Sequence, residues 1–259
     1  MEVRTVRRGG GEPYVLLHGI GSRAEVWAPV MDALAERFAV VAVDLPGFGR
    51  SPAQVQRPTI ERQTDAFADW LRDEGLEGCH VAGNSMGGAI ALELARRRAV
   101  RSAVAIAPAG FWTGKERRWC QDSLARAKAQ IGMLRPALRA IVANPVGRTA
   151  FGWQVLGRPW AVPAQELVDT ADAVLGAEAF DEALALFDDY TFHDAEQLDG
   201  VPVMVVWGSR DRLLLARRQA ARARRVLPNA RHEWLDGAGH LPMWDAPDAV
   251  ASLLISGAS

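Results

Sequence analysis

Short apolar runs that alternate with helical patterns restrict the fold of this chain more than any other feature. Four of the runs precede residue 110 and two follow residue 200; they cover residues 13–17, 39–43, 80–84, 102–107, 203–207 and 232–235. The first four are apolar along their length rather than at every second residue, as in parallel strands that are buried on both faces. The alternation therefore predicts an α/β fold, with a mostly parallel central sheet covered by helices on both faces.

The alternation stops between residues 111 and 198. This segment is rich in Ala, Leu and Arg at helical spacing, and prolines interrupt its patterns. We predict that residues 111–198 form a helical insert, and that residues 1–110 and 199–259 together form the core domain. Aromatic residues cluster in the insert, and we expect most of them to lie in its interior; they are Phe111, Trp112, Trp119, Phe151, Trp153 and Trp160.

The charge balance and the apolar runs argue against several classes of protein. The chain has 30 Lys and Arg residues against 31 Asp and Glu residues, whereas nucleic-acid-binding domains are usually basic overall. Its apolar runs are far shorter than the roughly 20 residues that span a bilayer, and no apolar stretch typical of a secretory signal follows its first residues. Two cysteines, Cys79 and Cys120, show no metal-binding or redox spacing. We therefore expect a cytoplasmic protein, a monomer or homodimer, with no nucleic-acid partner and no membrane span.

A G-x-S-x-G sequence joins the third predicted strand to the helix that follows it. It reads Gly83-Asn84-Ser85-Met86-Gly87. A nucleophile on so sharp a turn takes a strained backbone conformation, which only small residues two places to either side accommodate. The turn places the serine hydroxyl above the sheet at a helix N-terminus, where a developing negative charge is stabilised. The sequence thus predicts Ser85 as a catalytic nucleophile.

A serine hydroxyl is a weak nucleophile until a base removes its proton, so a histidine oriented by a carboxylate should occur downstream. Asp211 follows the predicted strand that ends at Trp207, and His240 follows the next predicted strand. The order Ser, Asp, His, with each residue in a loop after a strand, is the one given for α/β-hydrolases. Asp236 and Asp245 lie near His240 in the sequence, but we assign them to turns and helix caps.

Three further segments complete a resemblance to the α/β-hydrolase fold family that extends over nearly the whole chain. They are the His-Gly loop at residues 18–21, the Asp-Leu-Pro-Gly-Phe-Gly-Arg-Ser turn at residues 44–51, and residues 239–245 around the predicted catalytic histidine. The resemblance implies that the helical insert is a cap domain, and that the backbone N–H groups of Ile20 and Met86 form an oxyanion hole. For Met86 the sequence pattern itself supports this role, because Met86 begins a predicted helix and the first N–H groups of a helix lack internal acceptors.

Two segments depart from the family's pattern. Family members often carry a proline shortly after the acid, where this chain has residues 212–215 with the sequence Arg-Leu-Leu-Leu. The chain before the first apolar run is short, so we expect the family's first strands to be missing or reduced to residues 3–7. We expect His18 to hydrogen-bond the loop backbone rather than to act as a second base.

The expected reaction is hydrolysis of a carboxylic ester through an acyl-enzyme, with Ser85, Asp211 and His240 as the triad. This chemistry needs no metal ion and no organic cofactor. By the resemblance, a serine nucleophile argues against the dehalogenase and epoxide-hydrolase branches, which use a carboxylate at this position. The apolar, aromatic-rich cap predicts small to medium hydrophobic esters as substrates. The candidate substrate contacts are Phe111, Trp112 and Leu241.

Other functions stay open. Residues 83–88 resemble the turn of carbon–carbon bond hydrolases that act on ring-fission products. Those relatives, however, have a longer glycine-rich loop than residues 19–21 and a tryptophan where this chain has Leu241. A thioesterase or a lactonase is equally compatible with the triad. A small-molecule receptor on a hydrolase scaffold is also compatible, because such receptors can keep the whole triad.

Overall fold

A computed structural model describes residues 1–198 and 200–258. Its centre is a sheet of seven strands in the order β1-β3-β2-β4-β5-β6-β7. In chain order, β1 to β7 are Thr5–Arg8, Glu12–Leu17, Phe38–Val43, His80–Asn84, Ser102–Ile106, Val203–Gly208 and Arg231–Leu235. β1 pairs with β3 in antiparallel orientation, and the other neighbours are parallel. The predicted α/β fold with a mostly parallel sheet is confirmed.

The helices α1 to α11 connect and cover these strands. In chain order they are Ala28–Ala35, Ile60–Asp73, Met86–Arg96, Gly114–Leu134, Leu138–Val142, Pro145–Gly152, Ala164–Gly176, Phe180–Ala185, Ala216–Val226, Pro242–Asp245 and Pro247–Ser256. Within residues 1–198 and 200–258, none of the helices has both the length and the apolar character that crossing a membrane requires.

Side chains of the strands alternate between two apolar cores, one on each face of the sheet. In β2, Val15 and Leu17 pack in the core that includes α2 and α3, whereas Tyr14 and Leu16 pack in the core that includes α1 and α11. All four side chains are almost fully buried. Burying one Val or Leu side chain stabilises a protein by roughly 1.5–3 kcal/mol. Because both faces are covered, these strands need apolar residues at every position, as the sequence shows.

The described residues between β5 and β6 form helices and loops, with α4 to α8 as the longest elements. The segment begins with a capping box, in which the Thr113 side chain accepts from the N–H of Glu116 and the Glu116 side chain accepts from the N–H of Thr113. It has a small apolar cluster of its own, which includes Leu138, Leu156 and Leu167. The helical character agrees with the sequence pattern, and the division into a core domain and a cap at residues 111–198 stays a prediction.

Three tryptophans of the insert do not lie in its interior. Trp119 is 39% exposed, Trp153 is 50% exposed and Trp160 is 47% exposed. The expectation that most of the insert's aromatic residues are buried is therefore wrong for these three, whereas Phe111 and Trp112 are buried. The difference has a physical reason, because the apolar cluster of the insert is small, and helices that pack around a small cluster leave their other faces in water.

The N-terminal strand is short, as the sequence indicates. β1 covers Thr5–Arg8 rather than residues 3–7, and it pairs along the free edge of β3. Just before β1, the Arg4 guanidinium donates a hydrogen bond to Asp44, and the backbone N–H of Arg4 donates one to Ser51 Oγ. The N-terminal segment is thus tied to the turn that follows β3.

A buried carboxylate holds the loops at the carboxyl end of β3. Asp44 Oδ1 accepts a hydrogen bond from the N–H of Ala24 at 2.6 Å. Asp44 Oδ2 accepts from the N–H of Arg50 at 2.9 Å and from Arg4 Nη1 at 3.2 Å. Asp44 is fully buried, so one side chain joins three separate segments of the chain.

Replacing Asp44 with Ala should lower the free energy of unfolding by about 3 kcal/mol, because buried N–H groups and a guanidinium lose their acceptor. Urea unfolding followed by circular dichroism measures this loss. Asp32→Ala is the matched control, since the Asp32 side chain is 80% exposed and pairs with Arg8 at the surface. We expect the control to change stability by less than about 0.5 kcal/mol. Equal losses in the two variants would contradict the role of Asp44 as the acceptor that joins these segments.

Candidate active site

Ser85 occupies a strained turn between β4 and α3. Its backbone angles are φ 56° and ψ −114°, a region that non-glycine residues rarely adopt and that costs about 1–3 kcal/mol. Three backbone hydrogen bonds hold the residue there. Its N–H donates to Ile106 O at 2.9 Å, and its carbonyl accepts from the N–H groups of Ala89 at 3.0 Å and Ala109 at 3.1 Å. The predicted sharp turn is present, with the serine at its tip.

Close backbone contacts explain the two glycines around this serine. A Cβ atom at Gly83 would lie 2.0 Å from Gly87 O, and a Cβ atom at Gly87 would lie 2.4 Å from Leu17 O. Both distances are far below van der Waals contact. Any side chain at either position would force the turn apart, so the glycines are needed for packing between β4, α3 and β2.

A buried acid–base pair lies in the loops after β6 and β7. His240 Nδ1 and Asp211 Oδ2 are 2.7 Å apart, and both side chains are buried. Asp211 Oδ1 accepts from the N–H groups of Leu213 at 2.9 Å and Leu214 at 3.0 Å, which fixes the carboxylate. Because a carboxylate only accepts, the proton of a neutral imidazole lies on Nδ1, and Nε2 is left as the acceptor.

Asn84 joins the histidine loop to the serine turn. Its side-chain Nδ2 donates to His240 O at 2.9 Å and to Ile106 O at 3.3 Å. The residue before Ser85 therefore bonds directly to the backbone of the candidate base. Among the described residues, no hydrogen bond joins Ser85 Oγ to the imidazole; such bonds often form only when substrate is bound. The structure brings the three predicted triad residues into one site, and their catalytic roles stay predictions.

The His-Gly loop lies against the serine. A Cβ atom at Gly19 would lie 3.1 Å from the Ser85 Cβ, so the loop that carries Ile20 approaches Ser85 closely. Met86 is the first residue of α3, where a backbone N–H has no acceptor within the helix. The two predicted oxyanion-hole residues thus flank Ser85 from two different segments.

His18 has a structural role in this loop. Its Nε2 accepts from the N–H of Leu45 at 2.9 Å, so the ring proton lies on Nδ1, which donates to Gly19 O at 2.7 Å. Burial lowers the pKa of His18, which keeps the ring neutral. These contacts confirm the prediction that His18 hydrogen-bonds the loop backbone.

Asp245 connects the helical insert to the histidine loop. Its Oδ2 accepts from the N–H groups of Gly157 and Gly239, and its Oδ1 accepts from the N–H of Arg158, each at 2.7 Å. The N–H of Leu241 also donates to Val155 O at 3.0 Å. Sequence reasoning assigned Asp245 to a local turn or cap and missed its link to the insert. Two of its three donors are more than 80 residues away in the chain, so no local pattern indicated them.

A cavity of about 200 Å³ lies in the insert, beside the residue that follows His240. Leu241 and Trp244 line it from the core, and the other lining residues belong to the insert. Most are apolar; among them are Ile131, Leu134, Phe151, Val155, Leu156 and Leu167. The volume is sufficient for a group of about the size of benzene or a short alkyl chain. The predicted substrate contact Leu241 therefore borders a cavity of the appropriate chemistry.

The other two predicted substrate contacts lie elsewhere. Phe111 packs against Phe192 with ring centroids 5.6 Å apart, and Trp112 packs against Phe187 at 5.4 Å. Trp112 also donates its indole N–H to Tyr190 O at 3.0 Å. Neither residue lines the cavity beside Leu241. Their positions indicate packing at the base of the insert, and contact with a substrate stays a prediction for both.

One carboxyl group lines the otherwise mainly apolar cavity. Glu166 lies on α7, and burial raises its pKa, while the Arg23 guanidinium at 2.8 Å acts in the opposite direction. Arg23 lies two residues after the His-Gly loop. The ion pair therefore connects the insert to the same loop that carries Ile20.

A sequence model of the alpha/beta hydrolase family matches residues 14–253, which include the turn, the acid and the histidine. The chain belongs to the alpha/beta hydrolase family. The match agrees with the resemblance seen in the sequence motifs and with the order of the strands.

The proteins to which this chain is similar have several activities. The dihydrolipoyllysine-residue acetyltransferase component of the acetoin cleaving system of Cupriavidus necator is 26% identical over 266 residues, covering 98% of this chain and 66% of that protein. The epoxide hydrolase EphH of Mycobacterium tuberculosis is 31% identical over 206 residues, covering 76% of this chain and 90% of its own length. A crystal structure of a bacterial membrane phospholipase A matches with a TM-score of 0.77 at 25% identity, covering 99% of this chain and 83% of that chain.

Replacing Asp245 with Asn should lower the free energy of unfolding by about 2–3 kcal/mol, because an amide cannot accept from all three N–H groups, two of which are buried. Thermal and urea unfolding measure the change. Asp236→Asn is the matched control, because Asp236 lies in the same loop and is exposed. We expect the control to differ from wild type by less than about 0.5 kcal/mol. A loss in Asp245→Asn no larger than in the control would contradict the proposed link.

Proposed function

We propose that the protein is a serine hydrolase that cleaves carboxylic esters of small to medium hydrophobic substrates through an acyl-enzyme. One observation carries the proposal. The buried His240–Asp211 pair, with its 2.7 Å hydrogen bond, is joined through Asn84 to the strained turn that presents Ser85. A strained serine next to an oriented imidazole is the arrangement that activates a hydroxyl for attack on a carbonyl.

In the proposed reaction His240 Nε2 takes the proton of Ser85 Oγ as the oxygen attacks the ester carbonyl. Asp211 keeps the imidazole in the tautomer with the proton on Nδ1 and stabilises the imidazolium that forms. The imidazolium then gives its proton to the leaving alkoxide, and the acyl group remains on Ser85. A water molecule, deprotonated by the same imidazole, releases the acid and restores the serine.

The tetrahedral intermediate carries a negative charge on the former carbonyl oxygen. The backbone N–H groups of Ile20 and Met86 are the proposed donors to that oxygen, and the N-terminus of α3 adds a favourable electrostatic field. Such donors act mainly in the transition state, so their removal lowers kcat more than it raises KM.

The proposed cap, residues 111–198, supplies the substrate cavity. Its apolar lining beside Leu241 suits the acyl or aryl part of a hydrophobic ester. Acyl chains of roughly four to eight carbons match a space somewhat larger than one that binds benzene. Cytoplasmic location and a monomeric or homodimeric state remain predictions beside this proposal.

The similarity to an epoxide hydrolase does not change our proposal that the protein cleaves an ester bond. A carboxylate nucleophile opens an epoxide in the branches of the family that act on epoxides, and this chain has a hydroxyl at that position. A hydroxyl with a paired imidazole favours acyl transfer. We therefore expect turnover of esters and none of epoxides.

Hydrolysis of p-nitrophenyl esters with two to twelve acyl carbons tests the proposal. We expect kcat/KM to be highest at intermediate length, to fall about 10³-fold or more in Ser85→Ala, and to fall about 10²-fold to 10⁴-fold in Asp211→Asn. A fluorophosphonate should add its phosphonyl group to Ser85, as measured by mass spectrometry of the digested protein.

Ser252→Ala and Asp236→Asn are the matched controls, because both residues are exposed, and both should keep wild-type kinetics. Folded protein with no turnover of any ester and no labelling of Ser85 would refute the proposal. If Ser85 is labelled but the protein turns over only a carbon–carbon, thioester or lactone substrate, the serine mechanism stands and the assignment to carboxylic esters is wrong. Tight ligand binding with a single turnover would favour a receptor.

A further inference from the structure

The helical insert divides into two parts of opposite charge. Residues 114–160 contain nine Lys and Arg residues and two acidic residues, whereas residues 161–198 contain ten acidic residues and no Lys or Arg. One of the two acids in the first part, Glu116, is buried and pairs with Arg222 of the core. The outer surface of residues 114–160 is therefore strongly basic, although the whole chain is almost neutral.

Apolar side chains are exposed on the same basic part. Among the described residues, eight large hydrophobic side chains are at least 36% exposed, and six of them lie within residues 119–160. They are Trp119, Met133, Leu134, Val146, Trp153 and Trp160. We refer to these six residues and the basic side chains around them as the basic apolar face. Scattered exposed hydrophobic residues are ordinary, but this concentration in one short segment is not.

Contacts show that several of these residues are neighbours. The Trp119 indole donates to Arg212 O at 3.3 Å, Arg212 Nη1 donates to Trp153 O, and the Arg212 guanidinium lies 6.0 Å from the Trp153 ring centroid. Trp153 and Leu134 line the same cavity, so Leu134 at the end of α4 continues the surface. On α4 itself, Arg118, Trp119, Arg126 and Met133 are all exposed. Arg118 and Trp119 are adjacent, and Arg126 and Met133 follow Trp119 at intervals of seven residues, close to two helical turns, so all four lie on one side of the helix.

Several basic groups of the face have no carboxylate partner among the described residues. Lys128 and Arg135 pair with acids of the second part of the insert, at Asp181 and Asp172. Five other basic residues, by contrast, are exposed and form no ion pair with any side chain that the structure describes; they are Lys115, Arg118, Arg126, Arg139 and Arg158. Their charges are available to a negatively charged partner.

We propose that the basic apolar face binds to an anionic lipid surface. Lys and Arg side chains near a membrane are attracted to acidic headgroups, and each contributes about 1 kcal/mol, a factor of roughly five in partitioning. Tryptophan has an apolar ring with one polar N–H and is enriched at membrane–water interfaces, and three of the six exposed residues are tryptophans. The face therefore combines the two attractions that peripheral membrane proteins use.

Two other occupants fit the face less well. A second copy of the chain offers the acidic part, residues 161–198, but within its described residues that part exposes only Leu175 among large hydrophobic side chains. Such a contact leaves the six apolar residues without an apolar partner. A nucleic acid also has negative charge and stacks on aromatic rings, but Met133 and Val146, the most exposed of the six, offer it no hydrogen bond or stacking surface.

Binding of the basic apolar face to a membrane would bring lipid to the cavity of the insert. Leu134 and Trp153 belong both to the face and to the cavity lining. A membrane-bound molecule would therefore present the apolar cavity to the lipid phase. The proposal concerns binding alone and does not depend on the proposed hydrolysis.

Co-sedimentation with phospholipid vesicles tests the proposal. Vesicles that contain 40 mol% phosphatidylglycerol in phosphatidylcholine are compared with vesicles of pure phosphatidylcholine. We expect the wild-type protein to partition at least about tenfold more strongly into the anionic vesicles, and less strongly in 500 mM than in 100 mM NaCl because salt screens the attraction. Arg118→Gln/Arg126→Gln should weaken partitioning by about 25-fold. Met133→Ser/Val146→Ser should weaken it by about tenfold or more.

Arg217→Gln/Arg218→Gln is the matched control, because it removes the same charge from exposed positions on α9, outside the insert. Circular dichroism establishes that each variant is folded. Equal binding to both vesicle types, or equal losses in the α4 and α9 arginine variants, would overturn the proposal. If the wild-type protein does not bind vesicles, and gel filtration shows that it is a dimer and the α4 arginine variant is not, the partner of the face is a second copy of the chain rather than a lipid surface. If the protein binds a labelled oligonucleotide but does not bind vesicles, the partner of the face is a nucleic acid rather than a lipid surface.

Discussion

The contact between the backbones of β4 and α3 determines how the rest of the site is built. A methyl group at Gly83 would collide with the backbone of Gly87 in α3, and one at Gly87 would collide with the backbone of Leu17 at the end of β2. The chain reverses within the few residues between β4 and the first turn of the helix. The cost of the Ser85 conformation is met by the hydrogen bonds and packing of the strands on either side. Because β4 lies in the middle of the sheet, the serine emerges where the loops of β2, β5 and β6 converge.

The insert is bonded to both loops that carry the predicted acid, Asp211, and the predicted base, His240. Asp245 and Leu241 link the histidine loop to residues 155–158, and Arg212, next to the acid, bonds to Trp153. A change in the position of the insert would therefore act on the relative positions of Asp211 and His240. Hydrogen bonds thus connect the insert that lines the cavity to the loops of Asp211 and His240, although these segments are far apart in the chain.

Local sequence patterns predicted much of this arrangement. Strands that are apolar at every position, a serine between glycines at a strand–helix junction, and an acid and a histidine after later strands each depend on residues close together in the chain. The predicted order of elements is present in the structure, and the Ser85 turn has the predicted strain. Contacts between distant segments were not predicted. The role of Asp245 depends on Gly157 and Arg158, and the exposure of Trp119, Trp153 and Trp160 depends on how the helices of the insert pack together. Helical periodicity shows which residues share a face, but it does not show whether that face meets protein or water.

The short antiparallel strand at one edge of the sheet has a consequence for assembly. An uncovered parallel strand offers a row of unpaired N–H and C=O groups to any other strand, which promotes aggregation. Here β1 occupies that position with only four residues, and its last two, Arg7 and Arg8, are exposed and form ion pairs with Glu74 and Asp32. The opposite edge strand, β7, carries a paired Arg231 and Glu233. A second molecule that extended the sheet at either edge would bring its own strand against these charged side chains, so growth of the sheet from one molecule to the next is disfavoured.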